Sequence, residues 1–247
     1  MIQNRAALHI MNGQPKYLWF LIMSYAMIIS ISNWYDSRLI SLFNLTISPG
    51  TLSFPLSFLV SDIITEVYGY KNARKAIWAA LFFNSAFLIF GEIITKLPSP
   101  SFAIENNEAF DKLLHINFWI ICGSFTSYLV SEPINSYFIA KLKVICNGKY
   151  IGLRFISSTI IATLIDSIIF ISIAFHNLIN RTNLLKMILT VWLIKCIIEI
   201  IGLPISIRLA NWLKGNEKLD IYDVKTNFNP FSLNTNYDSN NNRYYKN

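Results

Sequence analysis

Asp62, Glu66, Glu132, Asp166, Lys195 and Glu199 stand inside runs of the chain that are otherwise apolar enough to cross a membrane. The first two fall in FPLSFLVSDIITEVYGYKNARKAIW, residues 54–78. A charged side chain at the bilayer centre costs about 2.5–3.5 kcal/mol on insertion scales, so such residues line a polar interior. The chemistry they offer is recognition and proton carriage. A carboxylate accepts two parallel hydrogen bonds from an amidine-like edge. Five acids cannot all sit ionised and dry around a single lysine, so some must hold a proton. Asp62, Glu132, Asn135, Asp166, Lys195 and Glu199 are therefore the candidate substrate-binding residues. Asp62 and Glu66 are the candidates for proton coupling.

Helical spacing gathers these groups. Asp62 and Glu66 are four apart and share a face, and Pro55 lies nearly on it, predicting a kinked span. Ser124, Ser127, Ser131 and Asn135 recur at helical intervals, with Glu132 beside them. Thr159, Ala162, Asp166 and Phe170 do the same, as do Trp192, Lys195, Glu199 and Gly202, with Pro204 just beyond. Lys195 and Glu199, at i and i+4, can pair within one helix. Glu66 is placed to reach the membrane surface near Lys71, Arg74 or Arg154. The serines and threonines also suit plain helix packing.

The elements that must carry these residues are six helical spans, an all-α polytopic membrane fold. They run over about 17–32, 52–68, 76–95, 116–140, 155–175 and 184–212. An arm of residues 1–16 precedes the six-helix domain of residues 17–213, and a tail of 214–247 follows, expected to be disordered beyond about 231. Residues 96–115 read as an exposed acidic loop. The first span has no small-residue cleavage site near it and is read as retained.

Composition narrows the function classes. Charged residues make up 14% of the 247, well below the level of about 25% usual in soluble domains, which argues for lipid as the surrounding solvent. The net charge of +7 sits in loops beside apolar blocks, a membrane-orientation pattern and not a nucleic-acid footprint. Cys122, Cys146 and Cys196 have no metal or disulfide spacing, and His9, His115 and His176 are dispersed. No phosphate-binding loop, dinucleotide fingerprint or zinc-hydrolase motif occurs. The expectation is a carrier for a small molecule, with no catalytic residues, no metal and no cofactor. A homodimer is left open.

The assembled motifs resemble the queuosine precursor transporter family, also described as vitamin-uptake-like transporters. The likeness rests on PGTLSFPLSFLVSDIITEVYGYKNARKAIW, on SEPINSYFIAKLK and on GKYIGLRFISSTIIATLIDSIIF. It extends to Lys195, Glu199 and Pro204 and to the tail LDIYDVKTNFNPF. Ser131 and Pro133 around Glu132, and Ala162 and Thr163 before Asp166, depart from the family pattern. The resemblance implies uptake of 7-deazaguanine compounds for tRNA modification: 7-cyano-7-deazaguanine, 7-aminomethyl-7-deazaguanine, queuine or the nucleoside. A ligand-capturing subunit of an ATP-driven uptake complex is the alternative.

Lys and Arg beside the spans number twelve on one side and five on the other, so both termini are predicted to face the cytoplasm. Single cysteines placed after Gly13, within residues 98–111 and after Lys214 test this. The first and third should label only from the cytoplasmic side and the second only from outside. Labelling of residues 98–111 from the cytoplasm alone would overturn the topology.

Overall fold

The computed structural model describes residues 15–42, 45–176, 179–232 and 234–237. The N-terminal arm with Arg5 and His9, and the last ten residues of the tail, lie outside the described residues. Helix α1 is Leu18–Tyr35. Strands β1, Ile40–Leu42, and β2, Leu45–Ile47, form an antiparallel hairpin with Ile40 opposite Ile47. A single turn, α2 at Gly50–Ser53, leads into α3, Pro55–Tyr68. Then come α4 at Tyr70–Ile94, α5 at Ile104–Ile145, α6 at Ile151–Ala174 and α7 at Arg181–Glu217. Among the described residues six helical units are long and apolar enough to cross a membrane, counting α2 and α3 as one.

Three sequence expectations change. The all-α reading holds for the spans, but the hairpin adds a small β element between the first two. The acidic loop is mostly helix: from Ile104 onward Glu105, Glu108 and Asp111 belong to the first turns of α5. These acids sit near a helix N-terminus, where the macrodipole favours negative charge. Pro55, expected to kink its span, stands at the first position of α3, and Phe54 before it keeps helical dihedrals, φ −58° and ψ −38°.

Helix α3 is the hub. Twelve of its fourteen residues are buried, and α1, α4, α5 and α7 pack around it. The outer faces are apolar instead: Phe20, Met23 and Met27 on α1, Phe82, Phe83 and Phe90 on α4, and Ile197, Ile201 and Ile205 on α7 are exposed. Polar groups inside and large apolar groups outside are what a lipid solvent selects. At Gly69 the chain turns from α3 to α4 within one residue, at φ 79°. Only glycine takes that conformation freely, and a Cβ there would fall 2.4 Å from the Tyr237 hydroxyl.

The end of the bundle at Gly69 is bound by charge. Glu66 is fully buried and takes two hydrogen bonds from Arg154 of α6, at 2.5 and 3.0 Å. Lys214 of α7 reaches it at 2.6 Å, and Lys143 of α5 lies at 3.8 Å while donating to its backbone carbonyl. Of the bases expected near Glu66, Arg154 is there. Lys71 and Arg74 are not, because they are taken by the tail. Asp220 completes the cluster, 2.6 Å from Lys143 and 2.9 Å from Lys214. The tail then runs across α4. Asp223 accepts from the Tyr70 N–H at 2.9 Å, Trp78 donates to the Pro230 carbonyl at 2.8 Å, and Arg74 donates to the Asn229 carbonyl at 2.8 Å. Contacts continue past Phe231: Tyr237 donates to Asp223 at 2.7 Å and accepts from the Lys71 N–H at 2.9 Å.

Removing one member of a buried charge cluster leaves its partners uncompensated, at a cost of about 3–5 kcal/mol. Glu66→Ala should therefore destabilise the detergent-purified protein by about that much, read from its denaturation midpoint. Unchanged stability would show that Arg154, Lys143 and Lys214 need no partner at this position.

Candidate functional site

Away from the Gly69 end, the buried polar groups fall into two neighbouring sets. The deeper set centres on α3 and α5. Asp62 accepts from the Asn135 amide at 2.6 Å, and Glu132 accepts from the Ser61 hydroxyl at 2.9 Å. One turn toward Gly69, Thr65 donates to Ser136 at 3.2 Å. Glu199 of α7 is buried within electrostatic reach of Asp62 and Glu132. Several oxygens in this set have no partner within hydrogen-bond distance: Asp62 Oδ2, Glu132 Oε1, Asn135 Oδ1 and Glu199 Oε1, with the buried and likewise unpartnered Tyr25 hydroxyl as the donor facing Glu132. An orphaned buried acceptor is costly, so four of them side by side mark a place that something else completes.

The second set is built around Lys195. Its ammonium pairs with Asp166 of α6 and lies 4.9 Å from the Phe54 ring centre and 5.9 Å from that of Phe170. The sequence suggested a Lys195–Glu199 pair within α7. The structure instead gives Lys195 to Asp166 across the helix interface, where the two rings add cation–π attraction. Ser131 donates weakly to Asp166 at 3.5 Å and so links the two sets through α5.

A narrow cleft opens beside this pair, toward the end of the bundle opposite Gly69. Asp166, Lys195, Phe54 and Phe170 line it together with Asn33, Asp36, Gly50, Thr51, Ser124 and Ser127. Of the predicted binding residues, Asp166 and Lys195 reach the cleft. Asp62, Glu132, Asn135 and Glu199 lie in the deeper set. Glu66 belongs to neither, being held in the charge cluster at the far end.

Sequence reasoning did not single out Asn33, Asp36, Thr51, Phe54 or Ser61. Asp36 follows the last turn of α1 and would pass for a surface residue at a span end. It is only 4% exposed, because the hairpin folds back over it. Its carboxylate lies against Gly50, where a Cβ would fall 2.3 Å from Oδ1. Burial pushes the Asp36 carboxyl up to about 6, against the opposing pull of the Ser48 hydroxyl, the Lys195 charge and the Gly50 amide. Phe54 stands between α2 and Pro55, with its ring centre 4.9 Å from the Lys195 ammonium.

No cluster of three or more metal-ligating side chains occurs among the described residues. The arrangement can bind a polar, donor-bearing solute and move protons.

Comparison with known proteins gives this geometry a context. The profile of a family described as "Putative vitamin uptake transporter" matches residues 48–209. A protein of Bacillus subtilis (strain 168) named "Probable queuosine precursor transporter" is 22% identical over 73% of this chain and 79% of its own length. A Haemophilus influenzae protein of the same name is 29% identical over 51% of each chain. The "Queuosine precursor transporter" of Escherichia coli (strain K12) is 24% identical over 65% of this chain and 69% of its own. No solved structure matches the chain. With the family profile covering well over half of the sequence and six spans enclosing a polar interior, the chain belongs to the vitamin uptake (queuosine precursor) transporter family, as a multi-pass protein of the bacterial inner membrane.

Proposed function

We propose that this protein imports queuosine precursors, 7-deazaguanine bases such as 7-cyano-7-deazaguanine, 7-aminomethyl-7-deazaguanine or queuine, with both termini in the cytoplasm. The observation that carries this reading is the set of unpartnered acceptors on Asp62, Glu132, Asn135 and Glu199 inside a membrane bundle. A guanine-like ring presents several N–H donors along one edge, and carboxylates are their natural complement. Phe54 and Phe170, on either side of Lys195, offer faces on which a flat ring could stack. The names of the relatives supply "queuosine precursor", and the family resemblance implies the 7-deazaguanine ring. Asp62, one turn above Glu66 on the central helix, is the proton-coupling residue of this reading. Glu66 is less suited, since Arg154, Lys143 and Lys214 already surround it.

Import is tested by uptake of each 7-deazaguanine base into cells that express this protein and lack any energy-coupling complex. Uptake without added components supports a self-sufficient carrier. No uptake until an ATPase complex is supplied would favour the alternative of a ligand-capturing subunit. Glu132→Ala should lower uptake by more than about tenfold, the worth of a hydrogen bond to a charged group, while leaving the amount of protein in the membrane unchanged. Wild-type uptake in that variant would remove Glu132 from the site.

Coupling is tested in proteoliposomes. Transport should respond to a proton gradient in wild type, and Asp62→Asn should flatten its pH dependence while ligand still binds. A wild-type rate indifferent to both pH and gradient would leave facilitated diffusion as the mechanism.

A further inference from the structure

The mouth of the cleft holds a charge that neither the carrier reading nor the ion pairs account for. Asp166 and Lys195 neutralise each other. Asp36 has no salt bridge among the described residues, and its Oδ1 has no hydrogen-bond partner from the protein. Asn33 faces the same cleft, and its orientation is set by its neighbours. The Asn84 amide N–H₂ donates to the Ala80 carbonyl at 2.9 Å, which turns the Asn84 oxygen toward Asn33. The Asn33 amide N–H₂ donates to that oxygen at 3.2 Å, leaving its own Oδ1 unpartnered. Both residues are only 4% exposed, so neither oxygen is satisfied by bulk water at the surface.

Thr51 adds a third oxygen source. Its carbonyl lacks the usual helical donor four residues on, because that residue is Pro55. A carbonyl freed in this way by a proline keeps its full capacity to accept a donor or a cation. The cleft between these groups is narrow, with room for about one water molecule. An ammonium head or a sodium ion is of that size.

We infer that Asp36, with the oxygens of Asn33 and Thr51, forms a subsite for a small monovalent cation at the mouth of the cleft. Two sources could supply it: the protonated amine of a transported base, or a free sodium ion. The first source rests on the transport reading, and the second does not. Asn33 and Asp36 precede residues 48–209 that match the family profile, while Thr51 lies within them.

The test uses purified full-length protein and has two arms. In the first, the thermal unfolding midpoint is followed on replacing choline chloride with sodium chloride at constant ionic strength. A sodium-dependent rise that is absent in Asp36→Asn assigns the subsite to the ion. In the second, binding of 7-aminomethyl-7-deazaguanine is compared with that of 7-cyano-7-deazaguanine. A preference for the amine of about tenfold or more that is abolished in Asp36→Asn assigns the subsite to the ligand. If Asp36→Asn does not fold, Asn33→Ala takes its place. Two flat arms in wild type, or effects that survive in the variant, overturn the subsite. Binding of neither base would overturn the transport reading, while the sodium arm would still decide the subsite on its own.

Discussion

Everything in this bundle follows from the difficulty of keeping a charge out of water, and Glu66 is where that difficulty is met most completely. Its carboxylate is fully buried near one end of the central helix and is surrounded by bases from α5, α6 and α7. Each of those helices must deliver its base to the same point. The cluster therefore sets their relative heights as well as their contacts. Asp220 extends the network into the tail, and the tail then covers the Gly69 turn through Asp223, Asn229, Pro230 and Tyr237. One carboxylate thus ties four helices and the C-terminal segment into a sealed end.

The opposite half of the molecule is built on the contrary principle. Lys195 is its one buried base among the described residues, and that base is committed to Asp166. Asp36, Asp62, Glu132 and Glu199 remain without a cationic partner there. From Arg154 to Asp166 along α6 is twelve residues, or about 18 Å of helix, so the balanced and unbalanced ends are electrostatically distinct. A carrier has use for this asymmetry. The balanced end holds the helices together and closes one face, and the unbalanced interior stays short of hydrogen-bond donors until a solute, an ion or a proton arrives.

The step from Phe54 to Pro55 joins these roles. Pro55 leaves the Thr51 carbonyl without its helical donor, and Phe54 stands against Lys195. A freed carbonyl at membrane depth is tolerated only where protein or a polar cavity covers it. Here α1 and α7 pack on α2, and the cleft lies beside them.

Much of this was legible in the sequence. Apolar runs of sufficient length set the six spans, because nothing shorter crosses about 30 Å of hydrocarbon. Carboxylates inside those runs marked a polar interior, because insertion penalises them otherwise. Helical spacing correctly set Asp62 with Glu66, and Ser131 with Asn135, on shared faces. Spacing within one helix cannot say which neighbour arrives across the interface. That is why Lys195 turned out to pair with Asp166 and not with Glu199, and why Lys143 and Lys214, counted only for orientation, close on Glu66. It is also why Asp36, a residue at a span end, became a buried wall of the cleft: its burial depends on a hairpin folding back and on a glycine without a Cβ to keep it away. The sequence by itself determined which groups had to be hidden from lipid, since that depends on composition and length. Which partners those groups found, and which were left without one, was decided by the packing of helices far apart in the chain.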